Sequence, residues 1–436
     1  MCLPWNNGKL EVINFEEMKI ETFRAFRSRN YRLFFTGQSI SLIGTWMQKT
    51  AIPWVIYIET HSVFMLGLTT FATQFPSFLF SLFGGVVSDR YNRYKVLLTT
   101  QVLSLIQALL LTILILINHY TVWEILLVSI LLGIINAFDV PARQALVYDM
   151  VDDKADLSNA IALNSSMVNL AKIAGPTLAG LVLEEFGAGI CFLLNAISFL
   201  AVIVSLLMMR FTKPIPHNNA KKPMRELKEG LTYLKDTPSI GLIILFLAIM
   251  SLLVLPYNTL LPVYAKVIFK GSASTFGYLN GFIGLGAICG TLMLASLKPG
   301  ADLQKILLFA TLVLGIGLIL FSHTTNFIFA CFFAVITGFG MMAQVTVSNT
   351  IIQTTVATEM RGRVISYFAM AFFGMLPLGA LLIGSLSSRI GAPDTLLAEG
   401  ITAVIVFSVF LFVIRKNALK RKAEIEVEIE IETSQV

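Results

Sequence analysis

Lys49 and Lys172 lie inside otherwise apolar runs of the chain. A charge in hydrocarbon surroundings is expensive, so such a residue is a functional candidate by default. No carboxylate lies within sequence reach of either lysine. Each can therefore attract an anionic ligand or carry a proton; snorkelling to an interface, or pairing with an acid at a helix end, is the alternative. Glu399, just inside the last apolar run, is a third ionisable group that can couple to an ion. Asp89 stands among Arg90, Arg93 and Lys95 in a tight turn after Gly85, a carboxylate set to make or break ion pairs. Other chemistries find no residues. His61, His119, His217 and His323 are isolated, and Cys2, Cys191, Cys289 and Cys331 are scattered, so no metal site, disulfide or cofactor is expected. No Gly-rich loop ending in Gly-Lys-Ser/Thr occurs, so the chain has no ATPase of its own.

The elements that hold these residues follow from composition. The chain has 436 residues, 56% hydrophobic and 13% charged, with a mean hydropathy of +0.78. Soluble proteins run at roughly 45–50% apolar and about 25% charged. The apolar residues come in runs of about 20, long enough to cross a ~30 Å hydrocarbon layer as helices. Soluble enzymes, secreted disulfide scaffolds and disordered chains are thereby excluded. Twelve spans are predicted, near 33–57, 63–87, 96–117, 122–138, 159–183, 188–209, 239–265, 275–297, 304–321, 326–349, 364–387 and 395–414. The expected organisation is a cytoplasmic N-terminus over 1–32, a six-helix bundle over 33–209, a linker over 210–238, a second bundle over 239–414 and a tail over 415–436.

The net charge of +6 is spread over loops, which argues against a nucleic-acid partner. Of the 32 Lys and Arg residues, 27 fall in the termini, the linker and the loops on the same side as the linker. Only Lys266, Lys270 and Arg389 fall on the opposite side. The positive-inside rule then places both termini in the cytoplasm. The first 30 residues lack a secretory signal, and Met18 is a possible alternative start; Met18–Arg27 has the pattern of a short amphipathic helix. Tail residues Lys420–Lys422, followed by Glu424, Glu426, Glu428, Glu430 and Glu432, alternate with period two. Solvated disorder is expected there, or a strand if something pairs with it.

The halves resemble each other. Gly175, Gly180 and Gly187 recur 204 residues on as Gly379, Gly384 and Gly391, while Gly67 and Lys95 recur 210 residues on as Gly277 and Lys305. A duplicated six-helix unit is a transporter signature. Gly277, Gly281, Gly284, Gly286 and Gly290 make small-residue faces in the eighth span, for packing between the halves or within one.

The run Gly85-Val-Val-Ser-Asp89-Arg90-Tyr-Asn-Arg93-Tyr-Lys95, between spans two and three, resembles the signature loop of the major facilitator superfamily. The resemblance implies an all-α membrane protein of twelve transmembrane helices in two pseudo-symmetric bundles. It also implies that this loop is a cytoplasmic latch, with Gly85 admitting a close helix approach and Asp89 held near the start of span eleven. In span five, Ala171-Lys-Ile-Ala-Gly175-Pro176-Thr-Leu-Ala-Gly180 is similar to an element of the efflux branch, with alanine at two glycine positions. Phe34-Phe-Thr-Gly-Gln38 through Trp46, and Pro141-Ala-Arg143, resemble the group holding macrolide efflux proteins and the enterobactin exporter. No arginine occurs between Val122 and Phe138, where many drug:proton antiporters carry one.

By the same resemblance, spans one, four, seven and ten line a central cavity. They carry Gln38, Trp46 and Lys49; Asn136; Tyr257 and Asn258; and Gln344. Rings with a few amides suit a bulky amphipathic ligand; each is equally explained as an interhelical hydrogen bond or an interfacial anchor. The expected function is proton-coupled export of an amphipathic small molecule, such as a macrolide or a siderophore, by a monomer in the cell membrane. An importer or lipid flippase of the same fold is the alternative, and a receptor or membrane enzyme comes last.

Overall fold

The computed structural model describes residues 22–118, 120–211, 223–298 and 300–434, with backbone alone over 223–227 and 417–434. The first half comprises α1 (Arg29–Thr60), α2 (Val63–Arg90), α3 (Arg93–Ile117), α4 (Val122–Met150), α5 (Leu157–Glu185) and α6 (Gly187–Leu207). A linker helix, Pro223–Asp236, leads to α7. That helix is broken: Pro238–Leu253 gives way to a 3-10 stretch Leu255–Leu260, one α-turn Leu261–Val263 and a π-turn Tyr264–Ile268. Next come α8 (Ala273–Ala295), α9 (Leu303–Ser322), α10 (Phe327–Thr355), α11 (Arg361–Ile390, with a π-turn at Met370–Gly374) and α12 (Ala392–Ser434).

Eleven of these are long and apolar enough to span a bilayer by length and composition. The twelfth long helix, α1, is more polar because it carries Gln38, Gln48 and Lys49 and turns much of its surface into the protein. Exposed Leu, Ile, Val and Phe at helical spacing mark α3, α6, α9 and α12 as the lipid-facing helices. Such apolar surface is untenable in water and is what hydrocarbon requires.

The internal repeat is visible as geometry. Asn92 accepts the backbone N–H groups of Tyr94 and Lys95 at the start of α3. Asp302, 210 residues on, accepts the N–H of Lys305 at the start of α9. Partial burial works against the Asp302 charge, but the Lys305 N–H and ammonium hold its carboxyl below the usual carboxylate range. Gly187 and Gly391 both take positive φ (79° and 88°), reversing the chain into α6 and α12 where a side chain would be strained.

Two crossings join the halves, α2 with α11 and α5 with α8. The repeated glycines form both. A Cβ on Gly277 would come within 2.7 Å of the Pro176 carbonyl oxygen and 2.9 Å of the Gly180 Cα. One on Gly384 would come within 2.9 Å of the Val63 carbonyl oxygen and 3.2 Å of the Gly67 Cα. The eighth span's glycines divide: Gly277, Gly281 and Gly284 face α5 in the other half, whereas Gly286 and Gly290 face α10 in their own. All these close approaches between halves lie toward the end away from the linker. At the linker end, Leu79, Leu82 and Phe83 of α2 are exposed. Close contacts between the halves thus run from the far end to the middle of the helices, where Gly374 meets the Phe78 ring.

Several sequence expectations are corrected. Gly85 has open space around it; its neighbour Gly84 makes the close approach, against the Ala137 carbonyl of α4. The fourth span does not stop at 138 but continues through Pro141 to Met150. The tail is helical as far as Ser434 rather than disordered or extended. Its Lys420/Glu424 and Lys422/Glu426 pairs have the i,i+4 spacing that favours helix. The Met18 start and most of the amphipathic N-terminal segment lie outside the described residues, as does His217.

Candidate functional site

The rotation of α1 is set by a buried polar network. Gln48 donates to Gln107 of α3 at 3.0 Å, and Asn195 of α6 donates to Gln48 at 2.6 Å. Leaving such amides unpaired in the interior would cost about 1–3 kcal/mol each. With Gln48 held toward α3 and α6, Trp46 and Lys49 are turned toward α5. There Gly175 leaves room for the indole, since a Cβ would collide with Trp46.

The Lys49 ammonium lies 4.7 Å from the Trp46 ring centroid, and the Lys172 ammonium lies 5.9 Å from the same centroid. An ammonium within about 6 Å of an indole face is attracted by its quadrupole. Two lysines thus share one ring, and neither is ion-paired with a carboxylate among the described residues. Lys49 also sits in the field of Arg143. Its side chain is exposed.

Arg143 is the group that the sequence reading placed outside the membrane span. Because α4 continues to Met150, Arg143 lies on the helix, 3.4 Å from Asp139 one turn earlier. Asp139 is buried and accepts Thr100 at 2.9 Å and Gln101 at 2.6 Å. The i,i+4 spacing of Asp139 and Arg143 was the available signal; Pro141 between them read as a helix end.

The remaining candidates fall into two groups. Gln38 is buried on α1 with its Oε1 unpartnered, and Asn136 is half-buried on α4. In the second half, Tyr257 is buried and donates to the Met341 sulfur at 3.4 Å, while Asn258 beside it is exposed. Gln344 on α10 is fully buried with both amide atoms unpartnered, and so are both oxygens of Glu399 on α12. Cations therefore line the first half, and unpaired neutral or acidic groups stand in the second.

The loop after α2 lies at the surface. Asp89, Arg90 and Lys95 are exposed, and Asp89 makes no ion pair among the described residues. Arg93 instead pairs with Asp149 at the end of α4, at 3.3 Å. In α5, Gly175 seats Trp46, Pro176 offers its carbonyl to Gly277, and Gly180 meets α8 at the closed far end.

A family profile described as "transmembrane secretion effector" matches residues 20–430. The staphyloferrin A transporter of Staphylococcus aureus is 27% identical over 393 residues, covering 89% of this chain and 97% of that protein. The enterobactin exporter of Shigella boydii is 25% identical over 384 residues, covering 88% and 91%. Macrolide efflux protein A of Streptococcus pyogenes is 22% identical over 411 residues, covering 92% and 100%. Among solved structures, a POT family transporter in complex with a thioalcohol-conjugated peptide superposes with a TM-score of 0.73 at 14% identity, covering 89% of this chain and 96% of that one. That likeness is one of fold.

Proposed function

The chain belongs to the transmembrane secretion effector family of the major facilitator superfamily, and we propose that this transporter is a proton-coupled exporter of an amphipathic small molecule with anionic character. The observation that carries the reading is the pair of lysines around Trp46, with Arg143 nearby. Lysines with no acidic partner among the described residues favour an anionic ligand, and an indole offers its face to an apolar or aromatic body. A siderophore fits that description better than a cationic drug does. The similarity to exporters of a siderophore and a macrolide supports the outward direction, as does the Gly175-Pro176-Gly180 element at the far-end seam.

The distribution of lysine and arginine supports placing the linker end, and both termini, in the cytoplasm of a cell-membrane protein. On that orientation the structure is the inward-open state. Here the cavity loads from the cytoplasm while Asp89 is free of the second half. Rocking of the bundles then closes the linker end, engages Asp89 near the positive end of α11, and opens the far end for release. In this reading the molecule works as a monomer, as the resemblance to the superfamily implies.

Accumulation of labelled catecholate and carboxylate siderophores, beside fluorescent cationic drugs and a macrolide, tests this in efflux-deficient cells with and without a protonophore. The expected result is several-fold lower accumulation of the anionic compounds, reversed by the protonophore. Higher accumulation in expressing cells would make the protein an importer and sink the reading.

A further inference from the structure

The repeat places Glu399 in a position with a built-in partner. In the first half, Asn195 of α6 donates to Gln48 of α1 at 2.6 Å. Gly187 and Gly391 both take positive φ where α6 and α12 begin, 204 residues apart, which makes Glu399 the counterpart of Asn195. Trp46 against Gly175 is matched by Pro256 against Gly379, and the helices that follow repeat at 210 residues, from Val63 to Ala273 and from Gly67 to Gly277; at that offset Asn258 is the counterpart of Gln48. The first-half pair is made; the second-half pair is broken. Asn258 stands exposed on the 3-10 stretch of α7, and Glu399, 1% exposed, has no donor for either oxygen among the described residues.

We infer that Glu399 and Asn258 form a proton-coupling site, in which loss of the Glu399 proton draws Asn258 inward and rewinds α7. An ionised carboxylate cannot be left buried without donors, whereas the neutral acid can. In the present conformation the site therefore holds its proton. The groups facing Glu399 from α7 are Tyr257 and Tyr264, both within its field. The Tyr264 hydroxyl is already committed to the Ser322 carbonyl at 2.6 Å. Residues Gly315 and Ile319 of α9, which pack on the adjacent Gly400, carry no charge. On α12 itself, Asp394 lies toward the far end and pairs with His323 at 3.3 Å. On α11, which also packs on α12, the charged groups are Arg361 and Arg363 at the linker end and exposed Arg389 at the far end; among the described residues none of these groups pairs with Glu399.

The consequence is conformational. The stretch Leu255–Val263 touches α12 on one side and α1 and α2 of the other half on its other side. Rewinding it moves the second-half wall of the far-end seam. Protonated Glu399 thus favours the far-end-closed state, and its ionisation favours opening.

This inference rests on the proton-coupled reading above, and it is tested by conformation rather than export, so the two fail separately. Spin labels at Phe186→Cys and Val267→Cys, exposed positions beside the seam in opposite halves, report far-end opening in the full-length, otherwise cysteine-free protein in lipid nanodiscs. The long-distance population should rise at least threefold as pH is raised from 5 to 9. Glu399→Gln should hold the short distance at every pH, and Glu399→Asp should restore the titration. A Glu399→Gln protein that titrates like its parent, or a parent whose distances ignore pH, overturns the proposal.

Discussion

At Lys172, charge and size can be separated by substitution. The ammonium shares the Trp46 ring with Lys49 and has no acidic partner among the described residues, so Lys172→Ala removes an attraction for an anion. Binding of the labelled siderophore that proves to be exported should weaken about tenfold, roughly 1.4 kcal/mol. Lys172→Arg should keep most of that affinity, because the charge and the stacking on the indole survive. Equal losses in both variants would mean that the side chain serves packing. The two lysines and Glu399 are legible as candidates in the sequence, because charge in an apolar run stands out. Arg143 and Asp139 are not, because Pro141 reads as a helix end when the chain is taken in one dimension. In three dimensions the helix continues through it.

Helix–helix approach is decided at small residues. Gly180 faces the Ala273 carbonyl oxygen and the Gly277 Cα across the seam, at 2.7 Å and 2.9 Å from where a Cβ would stand. Both are backbone neighbours that cannot swing aside. Gly180→Val should therefore pry α5 from α8, with an overpacking cost of about 1–3 kcal/mol. Transport should fall at least tenfold, and cysteine pairs across the far end should cross-link more slowly. Unchanged cross-linking would show that the seam tolerates bulk. The sequence singled out these glycines by their repeat. It did not tell which helix each one faces, since Gly284 and Gly286 lie two residues apart yet pack on opposite halves.

For the whole molecule, the loop after α2 is exposed. Among the described residues Asp89 makes no ion pair, while Arg93 is paired with Asp149. A latch that engages only when the linker end closes leaves this pattern. Asp89→Asn should then lower transport about tenfold or more while expression and membrane insertion stay at the wild-type level. Transport at the wild-type rate would remove the latch from the mechanism. At the same end, Arg363 at the start of α11 holds Glu229 of the linker helix at 2.8 Å, tying the connection between the halves to the helix that would receive Asp89.

Sequence alone was sufficient for the twelve spans, the duplicated six-helix unit and the membrane setting. These depend on apolar run length and charge placement, which are properties of the chain taken in order. It also marked Lys49, Lys172 and Glu399, because the penalty for charge in hydrocarbon does not wait for a fold. Only the tertiary structure brought Trp46 between two lysines, set Gln48 with Asn195, and left Asn258 and Glu399 apart. Those outcomes depend on the rotation and winding of individual helices. Rotation is selected by packing against glycines and by satisfying buried amides on other helices, and no stretch of chain contains both partners.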